Sequence, residues 1–272
     1  MFWWPTQEDT RMKRHHLMIL TGFICLLMQT SLWAQEPMGL SVSPQSITIG
    51  TNYNGTTVIV SGKIPEDCDA VAVVTGDRKE LHLKEKGKAL GVLWMNMGTL
   101  TYHNVPNVFI VSSAKKIADM AGQVGDDVSS VKNIGLDGLS KLITVEAKNL
   151  SPETAISELL KLKKNDGLYQ EQTGNISYAA SAQGYKTFRI NVAIPSRLSP
   201  GTYTVNVCTI KNGQIIDRAD TKIDAKLTGA PAFLSTLAFG HSLLYGILAT
   251  LIAIIGGLII GFIFQGAKGG AH

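Results

Sequence analysis

From Leu243 to Phe264 the chain reads LLYGILATLIAIIGGLIIGFIF, with no charged residue, proline or amide side chain. As a helix rising about 1.5 Å per residue it measures roughly 33 Å, enough to cross a hydrocarbon core of about 30 Å. A helix buried in a soluble protein seldom stays apolar on every face for so long. The run predicts one membrane-spanning helix over 243–264, and makes everything before it a domain tethered to a bilayer.

The other end carries a second, shorter apolar segment. Arg11, Lys13, Arg14, His15 and His16 form a basic stretch ahead of Leu17 to Leu27. That apolar core is too short to span comfortably and suits a signal peptide over 1–34, with cleavage after Ala34. Met12-Lys13-Arg14 would serve as an ordinary start, so translation from Met12 is expected; an uncleaved anchor is the alternative. Export followed by one span predicts a single pass through the cytoplasmic (inner) membrane. The bulk of the chain then lies on the periplasmic side and the tail 265–272 in the cytoplasm.

The two apolar segments account for a charged fraction of only 17% in 272 residues. The net charge of +4 is not gathered into a basic face, which argues against nucleic acid as a partner. About 200 residues remain between the ends, enough for one large or two small cores.

Two stretches of that remainder read as β. Over 38–112, short alternating or β-branched runs are separated by Asn54-Gly55, Gly62, Gly76-Asp77, Gly87, Gly98 and Pro106. Val71 to Val74 is continuously apolar, as a central strand covered on both faces would be. Over 174–228, Phe188, Ile190, Val192 and Ile194 alternate with polar or small residues, and Lys211-Asn212-Gly213 signals a hairpin. Leu198-Ser199-Pro200-Gly201-Thr202-Tyr203 matches the tyrosine corner of Ig-like sandwiches. The expectation is a mainly β fold of two Ig-like antiparallel sandwich units, joined by a partly helical connector over 113–172. Its clearest helix is capped by Ser151 and begins at Pro152; Lys161, Lys163 and Lys164 are expected on its water face. A juxtamembrane linker is expected over 229–242.

Candidate chemistry is sparse. His82, Met95, Met97 and His103 are imidazole or soft ligands, yet no His-x-His or methionine repeat organises them. The two methionines are read as core fillers, His82 as facing solvent, and Trp94 as a core anchor, with an exposed ligand platform as the alternative. Asp67 and Asp69 flank Cys68 in what reads as a turn. No nucleophile elbow, HExxH or catalytic carboxylate pair occurs, so neither an enzyme nor a cofactor is expected. Of the three cysteines, removal of Cys25 with a signal peptide leaves Cys68 and Cys208. A disulfide between them is open, since it depends on an approach the sequence does not reveal. Within the spanning run, Gly257 and Gly261 form a GxxxG that puts two glycines on one face; a helix-packing role and simple glycine abundance are both open.

The order of several stretches resembles the transmembrane protein family first described from alphaproteobacteria. They are Gly39-Leu40 with Ile47-Thr48-Ile49, Val71 to Gly76, Gly91 to Asn96, Val105-Pro106 leading to Phe109 to Ser113, Gly167-Leu168-Tyr169, Pro200 to Tyr203, and Leu244-Tyr245-Gly246. The resemblance implies an exported β-rich domain with one C-terminal anchor and no set activity. It also implies a neighbourhood with permeases of the sulfite-exporter type. The function expected is that of a membrane-anchored extracytoplasmic accessory protein. It would bind the bilayer and either a membrane permease or, through its helix, a second copy. The alternative is a periplasmic solute- or metal-binding module.

Overall fold

The computed structural model describes residues 38–89, 92–121, 129–180 and 184–265. The signal-peptide reading, the position of Cys25 and the tail beyond Gln265 lie outside them.

Two sheets form the centre. One has four strands in the order β1 (Ser41–Ser43), β3 (Thr56–Pro65), β11 (Tyr185–Ile194) and β10 (Ile176–Ala180). The other has six, in the order β2 (Ser46–Ile49), β13 (Gln214–Leu227), β12 (Gly201–Lys211), β4 (Asp69–Thr75), β7 (Phe109–Ser113) and β9 (Tyr169–Thr173). Most pairs are antiparallel; β2 with β13 and β7 with β9 are parallel. The mainly β class and the C-terminal apolar helix stand as expected.

Their arrangement into two sandwich units over 38–112 and 174–228 does not. Strand β3 of the first stretch pairs with β11 of the second along its whole length, and β4 pairs with β12. Val58 and Val60 meet Phe188, Ile190 and Val192 in one core between the sheets, with Val205, Val207 and Tyr203 from the facing layer. Alternation tells each strand which face to bury but not which strand will lie beside it, so the sequence concealed a single interleaved sandwich.

The six-stranded sheet is covered on its other face too. A second core gathers Val71, Val73, Val111, Cys208 and Ile210 under α1 (Ile117–Ala121), α2 (Leu136–Leu142) and α3 (Pro152–Asn165). Strand β4, buried on both sides, explains its unbroken apolar run. In α3, the Ser151 hydroxyl accepts from the Thr154 amide and Pro152 occupies the first turn, as expected. Lys163 departs from expectation: it is half-buried, 5.8 Å from the centre of the Tyr169 ring, and burial lowers its pKa. The tyrosine corner forms, with the Tyr203 hydroxyl donating to Ser199 O at 2.7 Å. The hairpin turn forms as well, with Asn212 and Gly213 both at positive φ.

A third sheet contains β5 (Arg78–Ala89), β6 (Leu93–Pro106) and β8 (Thr144–Glu146). Gly87 and Gly98 were expected to be turns. Both lie inside the β5–β6 hairpin, which reverses only between Ala89 and Leu93. Gly87 is there because Met97 packs over its bare backbone; a Cβ would sit 2.6 Å from Met97 Cγ.

The stretch expected as a linker over 229–242 is mostly helix α4 (Ala230–Gly240), followed after His241 by α5 (Ser242–Gln265). Helix α5 matches the predicted span and has none of its length buried in the protein.

Candidate interaction surface

The base of the β5–β6 hairpin is fixed. Leu100 and Tyr102 of β6 enter the second core, and the Tyr102 hydroxyl donates to Ala155 O at 3.0 Å. Asn149 Nδ2 donates to Met97 O at 3.3 Å and reaches Glu85 Oε2 at 3.4 Å. Beyond Met97 the hairpin leaves the body of the protein for roughly 13 Å, given the usual rise along a strand.

That free end is apolar. Val92 is 84% exposed, Leu93 and Trp94 each 64%, and Met95 and Met97 about half. The expectation that Trp94 anchors a core and the methionines fill one is overturned: among the described residues, no layer covers either face of this end. Lys88, opposite Trp94 in the register, holds its ammonium 5.4 Å from the centre of the indole ring. Lys84 and Lys86 precede it at alternate positions of the same strand, both exposed. Residues of this kind, large, flexible and amphipathic, are those that dominate binding interfaces. The signal was present in the sequence: Val92-Leu93-Trp94-Met95 is apolar at consecutive positions, which a strand with one wet face would not be.

Nearer the base, His82 and His103 do come together, but through a carboxylate. Glu80 contacts His82 Nε2 at 3.0 Å and His103 Nδ1 at 3.3 Å, and Glu146 contacts His103 Nε2 at 3.4 Å. His82 faces solvent as expected and also contacts Thr101 Oγ1 at 3.2 Å. Met95 and Met97 belong to the distal end, so the four residues weighed as soft ligands do not converge. Among the described residues, no group of three or more His, Cys, Asp or Glu side chains is arranged to hold a metal ion.

The cysteines are apart and reduced. Cys68 belongs to the core between the sheets and Cys208 to the core on the far side of the six-stranded sheet. The register sets Val71 opposite Cys208, which leaves Cys68 three residues, or about 10 Å, further along; a disulfide needs Cα atoms within about 7 Å. The disulfide considered from the sequence is therefore not formed. Burial pushes both thiols up to about 11, with the adjacent Asp67 carboxylate adding to the effect at Cys68. Asp67 is itself held below the usual carboxylate range by Lys211, whose ammonium lies 2.6 Å away, and by the Cys68 thiol. The segment is a turn, closed by the Cys68 amide donating to Pro65 O.

A cleft of about 570 Å³ opens beside α1 and α2, lined in part by Lys116, Lys132, Lys141, Asp137 and Glu171. Glu171 accepts the Leu136 amide at 2.8 Å, so it is engaged in holding the start of α2. In α5, an added Cβ at Gly257 or Gly261 would meet nothing among the described residues within 4 Å.

The family described as "Putative transmembrane protein (Alph_Pro_TM)" matches residues 37–266, which takes in the whole sandwich, the hairpin and both C-terminal helices. Among curated proteins, none matches the chain.

Proposed function

The chain belongs to that transmembrane family, and from this premise we propose that it is a membrane-anchored accessory protein which docks a membrane protein through the free end of its β5–β6 hairpin. The observation that carries the reading is the run Val92 to Met97, apolar on both faces and uncovered, in a domain that α5 ties to a bilayer. A soluble monomer rarely leaves such a patch bare without use for it. In this reading the domain is exported, lies on the periplasmic side of the inner membrane, and acts by binding rather than catalysis. Permeases of the sulfite-exporter type are the partner class to test first, because the family resemblance implies their neighbourhood. The Gly257–Gly261 face offers a second contact, to a partner helix or to another copy, where close backbone approach supplies the attraction that lipid-facing apolar surface does not.

Gentle solubilisation of native membranes tests the docking reading. Wild-type chain should co-purify with a stoichiometric membrane protein, and the variant Leu93→Asp with Trp94→Asp should lose it while retaining its own membrane content. Equal recovery of the partner by both chains would overturn the docking role.

The cleft beside α1 favours a second reading, a binding module for a small anionic solute. Its three lysines supply the charge, although Asp137 and Glu171 offset part of it. A rise in melting temperature with sulfate or phosphate, abolished by Lys116→Ala with Lys141→Ala, would support it. No rise at millimolar anion would remove it.

A further inference from the structure

Helix α4 has no charged residue and no fully buried side chain; Ala232, Leu237 and Ala238 are half-buried, and its large aromatic side chains are exposed. Phe239 is 90% exposed, Phe233 61% and Leu234 50%. In water such a helix has little reason to exist. Eleven residues are too few for a stable isolated helix, and its exposed surface would drive aggregation. Something apolar covers it, and its place in the chain says what.

On one side α4 is continuous with the membrane helix. His241 alone separates the two, at φ −137° and ψ 58°, values that break the helix. Helix α5 then starts with Ser242 and places Tyr245 about one turn in. A histidine, a serine and a tyrosine in that order mark the water boundary of a spanning helix, where aromatic residues with a polar tip concentrate. At about 1.5 Å per residue, the 11 residues of α4 and the 24 of α5 total roughly 52 Å, against about 30 Å of hydrocarbon and 40–45 Å with the headgroups. Both helices do not fit end to end across the bilayer. Helix α5 alone fills it.

On the other side α4 is joined to the sandwich almost without slack. Strand β13 runs parallel to β2 up to Leu227, and the Thr228 amide still donates to Ile49 O at 3.0 Å. Gly229 is the one residue between that bond and the helix. It sits at φ 65°, a backbone conformation that glycine tolerates and most residues do not, and its carbonyl accepts from the Phe233 amide to begin α4.

We infer that α4 is a lipid-binding helix lying in the interface of the leaflet that faces the sandwich, so that the β2–β13 end of the domain is seated on the membrane surface instead of hanging from a tether. The ligand is the bilayer itself, taken up by Phe233, Leu234 and Phe239 at shallow depth. The burial of these side chains among acyl chains supplies the driving force that the protein's own core does not. The inference rests on α5 spanning the membrane and is independent of what the β5–β6 hairpin binds.

Depth-dependent quenching tests it on the full-length chain. Single cysteines at Phe239→Cys, Phe233→Cys and Ile254→Cys, with Cys25, Cys68 and Cys208 replaced by Ala, would be labelled with an environment-sensitive dye. The labelled chains would be reconstituted in phosphatidylcholine–phosphatidylglycerol vesicles. Position 254, in the middle of α5, reports whether that helix spans: deep nitroxide lipid should quench it most. Positions 233 and 239 should show blue-shifted emission, protection from aqueous iodide and stronger loss with a shallow nitroxide than with a deep one. Iodide quenching at 233 and 239 equal to that of free dye would overturn the inference while leaving the span intact. So would stronger quenching by the deep nitroxide, which would put α4 inside the hydrocarbon. Protection that ignores nitroxide lipids would assign the face to a partner helix or a second copy, and would overturn it as well.

Discussion

Strand β11 and the distal half of β6 are both rich in large apolar side chains, and the molecule treats them in opposite ways. Phe188, Ile190, Val192 and Ile194 of β11 are all buried against the six-stranded sheet, while Leu93, Trp94, Met95 and Met97 of β6 face solvent. The difference lies in what surrounds them. Strand β11 sits between β3 and β10 with a sheet stacked on it; the free half of β6 has only β5 beside it. Apolar content alone thus identifies surfaces that want covering, and the topology decides which are covered from within. The uncovered set lies at the hairpin end and along α4 and α5.

The largest effect is expected from opening the covered surface. Phe188→Ala removes a ring that packs against Gly62 and the core between the sheets, and should cost about 3–5 kcal/mol in urea unfolding of the solubilised chain. A cost under about 1 kcal/mol would show that the two sheets are not tightly packed there. Tyr203→Phe takes away the hydroxyl that donates to Ser199 O and accepts from Asn107 Nδ2, and should cost about 1 kcal/mol in the same assay.

The buried thiols give the comparison a pH signature. In the unfolded chain Cys68 and Cys208 ionise near the ordinary thiol value of 9.0; in the folded chain burial holds both up to about 11. Between those values the unfolded state binds fewer protons than the folded state. Stability is therefore complete below about pH 9 and declines as pH rises toward about 11. Cys68→Ala with Cys208→Ala should flatten that decline in alkaline unfolding curves, and an unchanged slope would refute the burial of both groups.

The smallest effects on folding belong to the uncovered surface. Trp94→Ala should change stability by no more than about 0.5 kcal/mol, because the side chain is largely exposed and the Lys88 ammonium over its ring is exposed too. Gly257→Ile with Gly261→Ile should leave membrane content unchanged, since isoleucine is more apolar, while weakening any association through that face. Association that survives the double change would assign recognition to the β-sheet domain alone.

Much of this division was legible beforehand. The membrane helix, the capped helix after Ser151, the tyrosine corner, the hairpin at Asn212-Gly213 and the doubly covered strand Val71–Val74 all carry local signals, and all are found where those signals place them. Partner strands were not legible, because β3 with β11 and β4 with β12 are joined across more than a hundred residues by apolar faces that look alike. The hairpin's reversal is hidden in the sequence for a different reason. Gly87 and Gly98 are ordinary turn formers by composition, but here they relieve crowding and sit beside a bulge within a ribbon. Helix α4 is hard to tell from a linker in the sequence, because its short run, APAFLSTLAFG, has a proline at its second position and is bounded by glycines.

The central claim is that the hairpin end is covered by a membrane protein. Incorporation of a photo-crosslinking amino acid at Trp94, followed by irradiation of intact membranes, tests it most directly. The account predicts one discrete adduct with a membrane protein, absent when the same probe replaces exposed Ser177 on the four-stranded sheet. Adducts with lipid only at position 94, or equal labelling at 94 and 177, would contradict it.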